Sequence, residues 1–193
     1  MNADGPPRLR ADARRNRETI LAAAGQAFAE DGPAVPVDEI ARRAGVGAGT
    51  LYRHFPTKEV LFAAVLDEHL SRLVDRAGEL AERDDAEAAL CEFVGCLGVE
   101  AASKKSLIEA LAGSGIDIHE HAADAKVRLQ DAFSVLLSRA QATGRIRSDV
   151  TVQELFCLVM GTCPMANQPA GQAVQARMLS IVCDGLRVDS GHG

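Results

Sequence analysis

From Arg14 to Asp31 the apolar positions Ile20, Leu21, Ala24, Ala27 and Phe28 fall at i, i+1, i+4, i+7 and i+8, one face of an amphipathic helix. Gly32 and Pro33 then stop it. Val37, Ile40, Ala41 and Ala44 share the face of a short second helix, and Gly45 follows where left-handed backbone suits glycine. A third helix is expected from Gly47 or Ala48 to His54. It buries Leu51 and Phe55, four residues apart, and ends before Pro56, whose ring disfavours helical geometry in the preceding residue. Thr57 can cap a long fourth helix to about Arg83, along which Leu66, Leu70, Leu73, Ala77 and Leu80 alternate spacings of four and three.

The pattern continues as helices over Ala86 to Ala102 and Lys105 to Leu111, with a break at Gly113-Ser114-Gly115. Another runs from about His119 to Thr143, burying Leu129, Ala132, Phe133, Leu136, Leu137 and Ala140, with Gly144 as its cap. Thr151-Val-Gln-Glu154 matches a capping box, and Val152, Leu155, Phe156, Val159, Met160 and Cys163 line the face of the helix it opens. After Pro164 to Pro169 a last helix carries Val174, Met178, Ile181 and Val182. No run of β-branched residues alternates with polar ones, so the fold expected is all-α, with about nine helices: a three-helix head, a long connecting helix and a helical body.

Charge divides the chain in the same way. The net formal charge is −6, but residues 1–58 hold nine Lys or Arg against seven Asp or Glu, and residues 59–193 hold twelve against twenty. A basic head precedes an acidic body, and Arg8, Arg10, Arg14, Arg15 and Arg17 crowd the start of the head. The expected organisation is a flexible basic arm over 1–13, the head over 14–74, the body over 75–187 and a disordered tail over 188–193. With 193 residues, 47% of them hydrophobic and no unbroken apolar run of membrane-spanning length, the chain reads as a cytoplasmic globular protein with no membrane partner. Cys91, Cys96, Cys157, Cys163 and Cys183 lie in apolar helical stretches and read as reduced core residues. His119 and His121 point to different sides of a helix, so no metal is expected.

The segment from Val37 to Phe55 is two short helices around a tight turn. With Leu51 and Phe55 inward, the third helix turns Ala48, Gly49, Thr50, Tyr52, Arg53 and His54 outward. Gly47, Ala48 and Gly49 permit close backbone approach to DNA. Thr50, Tyr52 and Arg53 offer donors to phosphate or base edges, and Lys58 can reach a phosphate. Arg14 and Arg43 complete the candidate contacts.

The stretch Ile40-Ala-Arg-Arg-Ala-Gly-Val-Gly-Ala-Gly-Thr-Leu-Tyr-Arg-His-Phe-Pro-Thr-Lys-Glu59 resembles the DNA-binding head of the TetR family, a likeness that extends from about Arg14 to Leu66. The resemblance implies a homodimer on double-stranded operator DNA, a four-helix interface from the last two helices, and release of a repressor by a small-molecule effector in the body. It implies DNA contacts from Thr50, Tyr52 and His54 and a phosphate clamp at Lys58. Pro36 departs from the family, which often has a hydroxyl residue there to cap the second helix. The interface expected is Leu155, Val159, Gly161 and Cys163 with Val174, Met178 and Ile181.

Two other readings compete. Gly45-x-Gly47-x-Gly49 is similar to the phosphate loop of a nucleotide-binding enzyme, but Thr50 stands where the third glycine belongs and a helix precedes it in place of a strand. A protein-binding adaptor would use the same helices as a structural corner. No catalytic activity and no cofactor are expected. In the body, Phe62, Leu66, His69, Cys91, Phe93, Leu107, Leu111 and Phe133 either fill the core or line an effector cavity, with His69, Cys91 and Cys96 as its polar groups. Aromatic residues at 4% argue against a strongly aromatic pocket.

Overall fold

The computed structural model describes residues 7–32, 34–112, 123–165 and 170–188, with side chains over 12–32, 34–102, 124–164 and 170–188. Eight α-helices account for most of these residues: α1 (Pro7–Asp31), α2 (Val37–Arg43), α3 (Ala48–His54), α4 (Lys58–Ala81), α5 (Ala86–Ala112), α6 (Ala123–Ala142), α7 (Val152–Thr162) and α8 (Gly171–Leu186). A single 3-10 turn, Cys163–Met165, follows α7. Among the described residues strand pairing is limited to one bridge, Ile146 with Arg187, which ties the turn after α6 to the end of α8.

Local chemistry explains most of the boundaries. Gly32, Gly45 and Gly144 all have positive φ, at 76°, 67° and 72°, and each follows a helix end. At Gly45 the closure is a Schellman motif: Val46 N–H donates to Ala41 O and Gly45 N–H to Arg42 O. Thr57 Oγ1 accepts from Val60 N–H at the start of α4. At α7, Glu154 N–H donates to Thr151 Oγ1 while Thr151 N–H donates to the Glu154 carboxylate, completing the capping box.

Three boundaries differ from expectation. Helix α1 starts at Pro7, so residues 7–13 are helical and not an arm; a proline at the first helical position forfeits only an N–H that would be unbonded anyway. The two helices expected between Ala86 and Leu111 are one, because Ser103, Lys104 and Lys105 include neither Gly nor Pro to break the ladder. The expected boundary at 74 falls inside α4, within the second of two compact units. The chain divides at Glu68, with His69–Lys105 and the residues from Ala123 onward in the second unit, since Leu73, Ala77 and Leu80 belong to the second core. The Gly113–Gly115 break, His119, His121, residues 1–6, 166–169 and 189–193 lie outside the described residues.

The first unit is held by Ile20, Leu21, Ala24, Ala27, Phe28, Ile40, Leu51, Phe55, Leu61 and Phe62, all buried in one cluster. Phe28 and Phe62 pack with ring centroids 4.5 Å apart, and the Arg17 guanidinium lies 5.3 Å from the centre of the Phe55 ring. The second unit packs Leu80, Leu90, Phe93, Phe133, Leu136, Leu155 and Val159 in its core. Phe93 and Phe133 meet edge to face at 5.1 Å. No described helix is long and apolar enough to cross a membrane.

Candidate nucleic-acid interface

The recognition surface begins with what α2 and α3 bury. Ile40 and Ala41 on α2 and Leu51 on α3 face the first core, with Phe55 directly after α3. Those anchors fix which side of α3 is left for solvent. Gly49, Tyr52 and Arg53 are exposed there, and Ala48, Thr50 and His54 are half-buried, so the outward set expected from the helical period is the one observed. Tyr52, at 45% exposure, is a large aromatic side chain left uncovered by its own unit. An added Cβ at Gly47 or Gly49 would meet nothing within 4 Å, so the protein's own packing does not require these glycines. Their smallness leaves room for something outside the chain. The glycines follow α2, not a strand, so a dinucleotide-binding loop lacks its framework.

Two cations in the expected contact set are engaged within the head. Arg43 reaches Asp31 at 2.5 Å, Glu39 at 2.8 Å and Glu30 at 3.0 Å, clamping α2 to the end of α1. Three carboxylates thus converge on the guanidinium of Arg43, one of the expected contacts. Arg42 and Arg43 together hold the Glu39 carboxyl down at about 2, through their hydrogen bonds. Lys58 donates from Nζ to Val35 O at 2.6 Å. Partial burial pushes the Lys58 pKa below the ordinary lysine value, opposed by the Glu59 carboxylate. An ammonium has three donors, so this bond leaves others for a phosphate. Arg14 is exposed, 3.6 Å from Glu18, and Pro36 precedes α2 with no side-chain cap.

In the second unit the expected cavity residues separate. Phe62 and Leu66 are buried in the first unit, and Phe93 and Phe133 are buried against each other in the second. His69 and Cys91 do come together. With Leu73, Cys96, Val99 and Arg72 they line a groove of about 600 Å³ between α4 and α5, where His69 Nδ1 stands 3.7 Å from Glu100. The side chains of Leu107 and Leu111 lie outside those described. The cysteines are all free, as expected, but Cys157 is exposed and not a core residue.

The interface residues also separate. Leu155, Val159 and Cys163 are buried within the chain, Leu155 and Val159 in the second core. Leu158, Val174 and Ile181 are the exposed apolar positions of α7 and α8, at 51%, 46% and 54%. Gly161 and Met178 share an open apolar face with Leu158 and Ile181.

Residues 20–65 match the family described as bacterial regulatory proteins, tetR family, and residues 85–188 match the C-terminal domain of SbtR-like transcriptional regulators. The chain belongs to the TetR family. It is thereby a helix-turn-helix DNA-binding transcriptional regulator. The crystal structure of a TetR transcription regulatory protein from Mycobacterium vanbaalenii is 40% identical, with a TM-score of 0.78 over 93% of this chain and 99% of that one. The transcriptional activator FasR of Mycolicibacterium smegmatis is 46% identical over 68 residues, covering 35% of this chain and 30% of FasR. The transcriptional repressor Rv3405c of Mycobacterium tuberculosis is 43% identical over 72 residues, covering 37% of this chain and 38% of that protein. The match thus spans about a third of the length of these two curated relatives. The matched residues 20–65 include α2, the turn and α3, the two short helices of the helix-turn-helix.

Proposed function

We propose that this TetR-family protein is a homodimeric repressor that places α3 of each protomer in the major groove of an operator and leaves when an effector binds in the body. The observation that carries the reading is the outer side of α3: Tyr52, Arg53, Thr50 and His54 beside two glycines whose Cβ positions are open. Tyr52 and Thr50 supply hydroxyls, Arg53 a planar fork, and Gly47 and Gly49 let the backbone approach the sugar-phosphate surface. Lys58 meets a phosphate with the donors not engaged by Val35. An adaptor would have no use for this combination of cation, hydroxyls and open glycines.

Leu158, Val174 and Ile181, with Gly161 and Met178, are the surface we assign to the second protomer. The groove lined by His69, Cys91 and Val99 is the effector site we favour, since its mixture of apolar, thiol and charged groups suits a small molecule of mixed polarity. An effector that binds one head spacing better than the other changes operator affinity by a coupling of about 1 to 3 kcal/mol.

The test is a gel shift of the full chain on DNA from upstream of its own gene, repeated across salt concentrations. Affinity that falls steeply and linearly in log salt, with a preference over scrambled DNA of the same length, supports the reading. Equal binding to scrambled DNA, or none at low salt, overturns it.

A further inference from the structure

Helices α5 and α8 run antiparallel in the second unit, and their contacts form a ladder. Arg187 Nε donates to Glu87 Oε1 at 2.6 Å. Four residues along each helix from that pair, the same register sets Cys91 of α5 opposite Cys183 of α8. Further on, Gln175 Nε2 donates to Gly98 O at 2.8 Å, and a Cβ on Gly98 would lie 2.6 Å from Leu179 Cδ1. The numbers descend on α8 as they rise on α5, by about one turn from Glu87 to Cys91 and about two more to Gly98, so Cys91 faces Cys183 by register and the glycine brings the two backbones close. Both thiols also line one groove of about 660 Å³ together with Gly95, Val99, Asp184 and Arg187, which opens them to a small solute. They are free thiols, Cys91 half-buried and Cys183 buried.

We infer that Cys91 and Cys183 are a dithiol modification site, closed by a hydroperoxide into an intrachain disulfide that joins α5 to α8. The roles follow from the surroundings. The neighbouring Cys183 thiol holds the Cys91 pKa below the ordinary thiol value, with help from the Arg187 guanidinium and against burial, Glu87 and Asp184. The neighbouring Cys91 and burial push the Cys183 thiol up. Cys91 is the attacking sulfur. Its thiolate displaces alkoxide from the terminal oxygen of ROOH, the O–O bond breaks, and the alkoxide takes up a proton, leaving a sulfenic acid on Cys91. Cys183 sulfur then attacks Cys91 sulfur, the S–O bond breaks, and hydroxide leaves with the Cys183 proton as water. Two thiols and one hydroperoxide give one disulfide, one alcohol and one water. A disulfide here removes both thiols from the groove wall and fixes α8 against α5.

The experiment treats the reduced full-length protein with stoichiometric tert-butyl hydroperoxide, alkylates the remaining thiols, and maps peptides without reduction. Expected are the loss of two thiols per chain, an intact mass lower by two hydrogens, and a linked pair of peptides carrying Cys91 and Cys183, all reversed by dithiothreitol. Cys183→Ser retains a sulfenic acid on Cys91 that dimedone traps, and Cys91→Ser gives neither product. Circular dichroism confirms the fold of each variant, and the linked peptide in the unaltered chain decides the case whether or not the variants fold. Oxidation confined to the exposed Cys157 or to Cys96, or disulfides only between chains, would overturn the assignment and leave the two thiols as core packing.

Discussion

Lys58 Nζ donates a 2.6 Å hydrogen bond to the carbonyl oxygen of Val35, joining the first turn of α4 to the link between α1 and α2. The amine therefore works inside the head as well as towards DNA, and its loss has two readouts. Lys58→Ala is expected to lower the stability of the head by about 1.5 to 3 kcal/mol, the range for a hydrogen bond to a charged group. It is also expected to flatten the salt dependence of binding by about one counterion per half-site, equally on all sequences. Urea unfolding and operator titrations at several salt concentrations measure the two separately. Loss of stability with an unchanged salt slope would confine Lys58 to its structural bond.

Thr50 and Tyr52 are expected to affect sequence preference. Thr50→Ala costs about 1 to 3 kcal/mol per half-site at one operator position and relaxes the preference there. Tyr52→Phe keeps the ring and removes the hydroxyl, so weaker operator binding by a protein of unchanged circular dichroism assigns the loss to one hydrogen bond. Competition between the operator and its single-base variants is the measurement. Parent-like affinity in both variants would remove α3 from the groove.

Arg43 and Glu39 set a different expectation. Because Arg42 and Arg43 depress the Glu39 pKa from its ordinary 4.5 to about 2, the carboxylate contributes stability that is complete above the unfolded value and is lost as pH falls towards the folded one. Acid unfolding monitored between these values should show a contribution that Glu39→Gln abolishes. The contribution is modest, since the group is exposed and screened. Arg43→Ala removes the same clip and should leave the salt slope of DNA binding as it is in the parent, in contrast to Lys58→Ala.

Leu155 and Ile181 separate folding from assembly. Ile181→Asp changes a residue exposed on the protomer, so a folded monomer is expected by light scattering, with operator affinity reduced because the second head is lost. Leu155→Ala opens a cavity in the protomer's core and is expected to cost about 2 to 5 kcal/mol of stability. A stable dimer of Ile181→Asp at micromolar concentration would move the interface to another face.

Much of the architecture could be read along the chain because its signals are local. The helix stop at Gly32, the Schellman closure at Gly45, the cap at Thr57 and the capping box at Thr151 each depend on residues within a turn of one another. The outward side of α3 was legible for the same reason: once Leu51 and Phe55 are buried, a period of 3.6 fixes where Tyr52 and Arg53 stand.

Partnership across the chain could not be read in that way. Arg43 looks like a free cation in sequence, and only folding brings Glu30 and Asp31 from the end of α1 to meet it. Phe62, Phe93 and Phe133 carry the same apolar signature whether they fill a core or wall a cavity, and Leu155 and Leu158 lie on one helix with nothing local to say which faces inward. The sequence by itself determined the helical periods, most helix ends and the family, because these rest on short-range geometry and on a contiguous motif. Tertiary structure alone decided which cations are spent inside the head, which apolar stripe is left uncovered and that Cys91 meets Cys183, because each joins residues from separate helices and depends on how those helices pack.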